Sequence, residues 1–300
     1  MAKAPTEQKV DTMDNIEIRP FESIDEFQDC VKFQGDTWGG HFTERVPVAI
    51  LKVSQRLEGI AAGAYDSNGQ LVGFVFGMTG VQKGEVVHWS DMLAVRPELR
   101  NSGLGLRLKS YQRSELLGRG IRKMHWTFDP LESKNAYLNL IKLGATSREY
   151  VKDIYGQTDS PLHSGIGTDR LVTTWIMDSE RTTSRMLDPS KHSEDHQGYN
   201  DYPSVFEVRG SNNSVQPMPA DLSVPDEGVL VPIPQSIQRL KQNSLDLAIE
   251  WRVAVRNALT KYIDRGYEVR ELLRREHYSE YLLIDQKHRT LSNSNRLLVK

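Results

Sequence analysis

The sequence has almost no cysteine, almost no net charge and no long hydrophobic run. Its 300 residues contain one cysteine, Cys30, which excludes an internal disulfide. Lysine and arginine together number 38 and aspartate and glutamate 40, so no bulk charge attracts nucleic acid or an anionic membrane. No stretch has the character of a secretory signal or a transmembrane helix. These absences predict a cytoplasmic protein without a nucleic-acid or membrane partner.

Two kinds of catalytic centre are also missing from the sequence. No group of histidine and cysteine residues has metal-ligand spacing, so no metal is predicted. No arrangement of serine, histidine and aspartate indicates a covalent nucleophile. The length of 300 residues is nevertheless enough for a large core and for two domains.

The most informative segment is a glycine-containing motif, residues 100–105, between a strand-like run and a helix-like run. Its glycine spacing is neither that of a Rossmann fingerprint nor that of a Walker loop. Glycines allow a sharp turn and close approach of a ligand, and the first N–H groups of a helix have no intrahelical acceptor. The motif therefore predicts an anion site, although a plain helix start fits the six residues equally well. They are Arg100, Asn101, Ser102, Gly103, Leu104 and Gly105.

Apolar periodicity around the motif predicts an alternation of strands and helices. The pair Asn68-Gly69 between two apolar runs indicates a β-hairpin. The predicted order is strand, helix, helix, three strands, helix, strand, helix and two strands. The strands are predicted near residues 16–20, 62–65, 71–76, 85–95, 123–128, 149–155 and 171–177, and the helices near 24–33, 47–57, 103–117 and 133–143.

Motif and order together resemble the GNAT superfamily of acyl-CoA-dependent N-acyltransferases over about residues 16–178. Ile18-Arg19-Pro20 resembles the family's first strand, residues 69–74 its second hairpin, and residues 133–144 its last motif helix. The resemblance implies an α/β fold with a mixed, mostly antiparallel sheet flanked by helices. It also implies direct transfer of an acyl group from a CoA thioester to a primary amine.

The resemblance further implies which residues bind the co-substrate, acetyl-CoA or another short acyl-CoA. The end of the fourth strand would run beside the pantetheine, and residues 100–105 would hold the pyrophosphate. Ser133 or Asn135 would contact CoA, and Arg107 or Lys109 would reach the 3′-phosphate. The strand residues concerned are Leu93, Ala94 and Val95.

The proton donor of the family is absent at its usual position. The tyrosine that protonates the leaving thiolate in the family would fall at Leu140. Tyr137 or Tyr155 could replace it, although each is more simply a packing tyrosine. The thiolate could also leave unassisted, because its pKa is low.

A base must also remove a proton from the amine. Strand position favours Asp91, near the point where the family's fourth strand bulges, and His88 is the next candidate. Asp129 fits a catalytic role and a plain turn residue equally well. His125 is more simply a core histidine.

The acceptor is expected beside the turn between the first two helices. The resemblance places Trp38, His41 and Phe42 along this wall. An aromatic, mildly polar wall favours a small amine, with an amino acid as one candidate, over a peptide. Arg170 could pair with an acceptor carboxylate, although a surface arginine is the plainer interpretation.

The composition changes after the region of resemblance. Residues 179–226 are rich in serine, aspartate, asparagine, proline and glycine, which predicts an exposed connector. The predicted division is therefore a loose tail at 1–14, an acyltransferase domain at 15–178, the connector, and an α/β extension at 227–300. Within the extension we predict a strand at 228–234, a helix over 235–265, and strands at 267–272 and 281–284.

The extension has an excess of about five basic residues from position 231 onward. A nucleic-acid surface is one interpretation, and a solvated helix face that includes Arg252 and Arg256 is the favoured one. The extension would shape the acceptor pocket or complete a homodimer.

Three functional interpretations remain open. The leading one is an acyl-CoA-dependent N-acyltransferase, in the simplest case an N-acetyltransferase, that acts on a small-molecule amine. The second is a catalytically weak acyl-CoA sensor, which the missing tyrosine at Leu140 suggests. The third is a nucleic-acid-associated protein that acts through the basic extension.

Overall fold

The computed structural model describes residues 15–40, 42–156, 165–187, 199–211 and 214–287. The chain divides into two compact units, Met1–Ile121 and Arg122–Lys300. Between Glu17 and Ile176 the elements follow the predicted order of strand, helix, helix, three strands, helix, strand, helix and two strands. The predicted fold class, α/β with mostly antiparallel strands and flanking helices, is confirmed.

In its described part, residues 15–40 and 42–121, the first unit contains four strands and three α-helices. The strands pair in the order β1-β2-β3-β4, each antiparallel to its neighbour. The bounds are β1 Glu17–Pro20, α1 Ile24–Trp38, α2 Val48–Arg56, β2 Ile60–Tyr65, β3 Leu71–Gln82, β4 Glu85–Val95 and α3 Leu104–Gly118.

Local sequence signals explain several boundaries of the first unit. Ser23 caps α1 in a capping box with Glu26. The predicted hairpin turn is present, because Gly69 has a φ of 74° and the Asp66 carboxylate accepts two backbone N–H groups of the turn. Phenylalanines form much of the core, including Phe33 and Phe74, whose rings pack edge to face at 5.5 Å.

The second unit contains the remaining strands and helices. Its main sheet has the order β5-β7-β6-β11-β12-β10, and the strand pairs are antiparallel. The bounds of the first part are β5 Lys123–Phe128, α4 Ser133–Ala136 with π-helical turns Tyr137–Lys142, β6 Thr146–Val151, β7 Arg170–Ile176 and α5 Glu180–Leu187. Those of the rest are β8 Val208–Arg209, β9 Gln216–Pro217, β10 Gly228–Pro234, α6 Ile237–Asn243, α7 Leu245–Asp264, β11 Tyr267–Arg274 and β12 Tyr278–Asp285.

The elements predicted for the C-terminal extension are present, with the long helix divided into α6 and α7. Ser244 separates the two helices, because its extended backbone ends α6 and its hydroxyl accepts the N–H of Leu247 as the cap of α7. The buried face of α7 includes Trp251, Val255 and Leu259. These residues belong to one core with Leu171 of β7, so β7 and the extension share a hydrophobic interior.

The division into units differs from the predicted domain boundaries. The boundary lies at Ile121 and Arg122, inside the domain predicted at 15–178. The predicted connector is not uniformly exposed, because Val205, Phe206 and Val215 are buried in the core of the second unit. Scattered apolar residues without periodicity can fill such a core without a signal in the sequence pattern. The predicted tail at 1–14 lies outside the described residues.

None of the helices in the described ranges combines the length and the apolar character needed to cross a membrane.

Candidate functional site

The candidate site is built on β4 and the segment that leads from it into α3. Phe76 of β3 lies opposite Met92 of β4, and the next pair is Gly77 with Ser90. Asp91 is therefore the extra residue of a β-bulge. Bulges re-aim side chains and are frequent beside active sites. The prediction of a bulge near Asp91 is confirmed.

The backbone between β4 and α3 contains two left-handed residues. Asn101 has a φ of 64° and Gly103 a φ of 99°. Glycine adopts this region freely, and asparagine does so more readily than most residues. The Ser102 hydroxyl closes the turn, because it donates to the Leu99 carbonyl at 2.6 Å and accepts the Leu104 N–H at 3.4 Å. The helix begins at Leu104 with Gly103 as its N-cap.

The loop is open at Gly105. A Cβ added there would meet one neighbouring side-chain atom within 4 Å, Cδ2 of Leu93 at 3.8 Å. Among the described residues, no hydrogen bond uses the backbone N–H of Gly103, Gly105 or Leu106. Such N–H groups at a helix N-terminus attract anions, and a phosphate can approach them closely where no side chain intervenes. This cradle fits a pyrophosphate.

The three cations predicted around the phosphates have different environments. Arg100 is exposed at the loop. Arg107 donates to the Ile16 carbonyl at 2.6 Å. Lys109 is buried, with its Nζ 2.8 Å from Ser90 Oγ. The structure therefore argues against Lys109 as a ligand of the 3′-phosphate, because its ammonium group points into the interior.

A chain of hydrogen bonds runs from Lys109 of α3 to β4. Lys109 donates to Ser90, whose hydroxyl donates to Gln112 Oε1 at 3.0 Å, and all three residues are buried. Burial lowers the pKa of Lys109 to about 7. The sequence reasoning missed Ser90 and Gln112. The available signal was a polar Gln112 within the apolar stripe from Leu108 to Leu116 on α3.

His88 continues this chain of hydrogen bonds. Its Nε2 lies 3.3 Å from Gln112 Nε2, and its Nδ1 lies 3.2 Å from Thr79 Oγ1. The Thr79 hydroxyl donates to the Glu58 carbonyl at 2.8 Å, which assigns the His88 proton to Nδ1. Burial, with a contribution from the charge of Lys109, lowers the pKa of His88 to about 3. The structure argues against His88 as the base, because both ring nitrogens are engaged in the interior.

Asp91 is the other candidate base, and it is exposed on β4. The protein around Asp91 removes part of the water from its carboxyl group, and this partial desolvation raises the pKa. A hydrogen bond with Trp89 lowers the pKa and the charge of Glu44 raises it, and the pKa is raised overall. A carboxylate with a raised pKa is a better proton acceptor near neutral pH. Its role as base stays a prediction.

Two of the three predicted acceptor-wall residues lie together in the first unit. The rings of Trp38 and Phe42 are 5.4 Å apart, and Trp38 packs edge to face on Phe74 at 6.1 Å. Both rings are partly buried against the core. The buried part of each ring therefore supports the turn, and the exposed part is available to a ligand. His41 lies outside the described residues.

In the second unit, predicted site residues form buried ion pairs. Asp129 accepts two hydrogen bonds from Arg252, at 2.9 and 2.6 Å, and both side chains are 3% exposed. Arg170 is also buried and donates to the Asp169 carbonyl at 2.9 Å. Asp129 is thus a structural partner of Arg252, and the prediction of a solvated helix face is wrong for Arg252. His125 is buried, as a core histidine would be.

The tyrosines predicted as proton donors differ in access. The Tyr155 side chain is exposed, and its phenol oxygen lies 3.1 Å from Thr127 Oγ1. Tyr137 is partly buried, and the Arg274 guanidinium lies 3.7 Å from the centre of its ring. Tyr137 is therefore a packing residue. Leu140, at the position of the family's tyrosine, is fully buried in the core. Tyr155 remains the candidate acid.

The two residues of α4 that are predicted to contact CoA have different surroundings. Ser133 Oγ lies 3.0 Å from Ser279 Oγ of β12, so Ser133 is tied to the sheet. Asn135 is exposed and available to a ligand. Within the described ranges, no group of three histidine, cysteine or acidic residues could hold a metal ion.

Comparison with known proteins adds no family assignment. No protein-family model and no curated protein matches the sequence. A chain of the NatC complex, solved with Gag peptide and CoA, is similar at 13% identity and a TM-score of 0.43, over 54% of this chain and 98% of that chain. The ribosomal-protein-S18-alanine N-acetyltransferase of Escherichia coli has 15% identity and a TM-score of 0.42, over 55% and 95%. A GNAT-family acetyltransferase of Streptococcus pneumoniae has 18% identity and a TM-score of 0.43, over 53% and 97%. Similarities at this level identify neither a substrate nor a partner for this chain.

Proposed function

We propose that this protein is an acyl-CoA-dependent N-acyltransferase that transfers a short acyl group, in the simplest case acetyl, to the primary amine of a small molecule. The observation that carries the proposal is the open glycine loop between the bulged strand β4 and helix α3. Its N–H groups at Gly103, Gly105 and Leu106 have no hydrogen bond among the described residues. They suit the pyrophosphate of CoA, and Arg100 adds a positive charge.

The end of β4 supports the same proposal. Leu93, Ala94 and Val95 end β4 one residue after the bulge, and residues 96–99 connect them to the loop. In the proposed complex this backbone runs beside the pantetheine, and one of its N–H groups faces the thioester oxygen. A donor aimed at that oxygen stabilises the negative charge that develops in the transition state.

The reaction needs no covalent enzyme intermediate. The amine nitrogen attacks the thioester carbon, the carbon–sulfur bond breaks, and the amide and CoA thiol are released. Asp91 takes the proton of the amine, directly or through a water molecule. Tyr155 gives a proton to the departing sulfur and regains one from solvent, or the thiolate leaves unassisted.

A small amine is the proposed acceptor, with an amino acid as one candidate. Trp38 and Phe42 form a compact aromatic surface, which suits a small molecule with an apolar or aromatic group better than a charged peptide. A peptide N-terminus is the competing acceptor, and it carries the same reactive group.

The second candidate function is an acyl-CoA sensor without turnover. One observation favours it, because the buried Leu140 replaces the family's proton donor. The sensor would bind acyl-CoA with the same loop and release no thiol.

The test is thiol release from acetyl-CoA with a panel of amino acids, polyamines, aromatic amines and short peptides. We expect turnover with a small amine and none with matched N-acetylated compounds. Binding of acetyl-CoA without thiol release from any amine or peptide would favour the sensor. Turnover confined to peptides would correct the acceptor class and leave the reaction unchanged.

A further inference from the structure

Helix α7 presents two arginines, one turn apart, to two carboxylates outside the helix. Arg252 binds both oxygens of Asp129, at 2.9 and 2.6 Å. Arg256 binds both oxygens of Asp169, at 2.6 and 2.8 Å. Residues four apart share one face of a helix, and two-pronged arginine–carboxylate pairs fix orientation as well as distance. The two pairs therefore lock α7 onto the segments that carry Asp129 and Asp169.

These carboxylates also organise the backbone around them. Asp129 directly follows β5, and its Oδ1 accepts the N–H of Leu131 at 2.8 Å. Arg252 Nε donates in addition to the Ile166 carbonyl at 2.9 Å. Asp169 directly precedes β7, and its Oδ1 accepts the N–H of Asp153 at 3.1 Å. Helix α7 thus holds the turn after β5 and both described ends of the connection between β6 and β7.

The hydrogen bonds continue from Asp153 to Tyr155. The Thr168 N–H donates to Asp153 Oδ1 at 3.2 Å, and the Tyr155 N–H donates to Thr168 Oγ1 at 3.2 Å. Tyr155 is 41% exposed, and its phenol oxygen is hydrogen-bonded to the hydroxyl of Thr127 of β5. Arg170 covers the ring face at 5.2 Å from its centre. The position of Tyr155 is therefore fixed by its neighbours, while part of the residue stays accessible to solvent.

We infer that Arg256 is a positioning residue for Tyr155, and that the extension after residue 227 thereby belongs to the catalytic apparatus. The inference rests on the proposed acyltransferase function, in which Tyr155 gives a proton to the leaving thiolate. Arg256 holds the Asp169 carboxylate, which accepts the N–H of Asp153. The Asp153 carboxylate accepts the N–H of Thr168, and the Thr168 hydroxyl accepts the N–H of Tyr155 and so fixes its backbone. Arg256 itself need not touch a substrate.

The kinetic test compares Arg256→Gln, Arg256→Lys and Tyr155→Phe, with Lys261→Gln as the matched control on the exposed face of α7. We expect Arg256→Gln and Tyr155→Phe each to lower kcat by about 10- to 100-fold, because a displaced acid loses its catalytic contribution. The double variant should lose no more than Tyr155→Phe alone. Arg256→Lys should fall between Arg256→Gln and the wild type, and Lys261→Gln should match the wild type. Affinity for acetyl-CoA should stay the same in all variants.

Multiplicative losses in the double variant, or an unchanged kcat in Arg256→Gln, would overturn the inference. Arg256→Gln removes the only cation within hydrogen-bond distance of the buried Asp169 carboxylate among the described residues and leaves it the Tyr150 hydroxyl and the Asp153 N–H. If this variant fails to fold, the variant Asp169→Asn with Arg256→Gln removes both charges and keeps the shape. The same kinetic expectations apply to it.

A fluorine NMR measurement separates the inference from the proposed function. Protein labelled with 3-fluorotyrosine gives a Tyr155 resonance, which its loss in Tyr155→Phe assigns. We expect Arg256→Gln to shift this resonance and Lys261→Gln to leave it in place. An unshifted resonance overturns the positioning role even if the protein is an active enzyme. Absence of turnover with every amine, beside a shifted resonance, contradicts the proposed function and supports the positioning of Tyr155.

Discussion

Replacing Lys109 by methionine removes the amine from the buried chain of hydrogen bonds behind β4. Lys109 has a pKa of about 7 in the folded protein, because burial disfavours its charged form. The ordinary lysine pKa is about 10.4, so between these values the unfolded chain binds more protons than the folded one. Stability of the wild type therefore rises with pH across this window. Below pH 7 both states are protonated, and the penalty for burying the charge is present in full.

The size of this effect follows from the two pKa values. Relative to Lys109→Met, which has no titrating group at this position, the wild type should gain about 2 kcal/mol of unfolding free energy between pH 7 and pH 9. The lost hydrogen bond to Ser90 adds an offset that does not change with pH. Lys32→Met removes an exposed lysine of α1 and is the matched control.

Urea unfolding at pH 7, 8 and 9 measures the difference, since urea is uncharged and adds no screening. Trp38 and Trp89 report on the first unit. Parallel stability curves for the wild type and Lys109→Met would refute the reasoning, because the amine would then be as hydrated in the folded state as in the unfolded one.

Two other side chains give further tests. Tyr65→Phe should leave the protein equally stable or stabilise it by about 1 kcal/mol in urea unfolding, because the buried Tyr65 hydroxyl has no hydrogen-bond partner among the described residues. A clear loss of stability would mean that the hydroxyl is satisfied after all. Asp91→Asn should lower kcat/KM by roughly 10- to 1000-fold at neutral pH and less at high pH, where the amine loses its proton unaided, whereas Tyr137→Phe should have little effect. A pH profile of Asp91→Asn that overlays the wild type would exclude Asp91 as the base.

Features with a local cause could be predicted from the sequence. The hairpin at Asn68-Gly69 depends on a turn that glycine permits, and the glycine motif depends on the left-handed φ of Gly103. The strands and helices of the extension follow from apolar periodicity on faces such as that of α7. The bulge at Asp91 was predicted through the family resemblance, since no local signal marks it.

Features that depend on distant partners could not be predicted. A solvated helix face was predicted for Arg252 and Arg256 because charged residues are rarely buried. Their partners Asp129 and Asp169 lie 123 and 87 positions away in the chain. The inward direction of the Lys109 amine also depends on a distant partner, because Ser90 lies 19 positions away in the chain.

The central claim, that the glycine loop binds the pyrophosphate of CoA, is tested most directly by calorimetric titration with acetyl-CoA. The wild type is compared with Gly105→Ala and with Gly118→Ala, which adds the same methyl group in open space at the other end of α3. Both changes favour the helix by about 0.4–1 kcal/mol, so neither should unfold the protein. We predict binding by the wild type and Gly118→Ala, and affinity at least about tenfold weaker for Gly105→Ala, a loss of about 1.4 kcal/mol. Equal affinity in all three proteins, or no binding by the wild type, would contradict the claim.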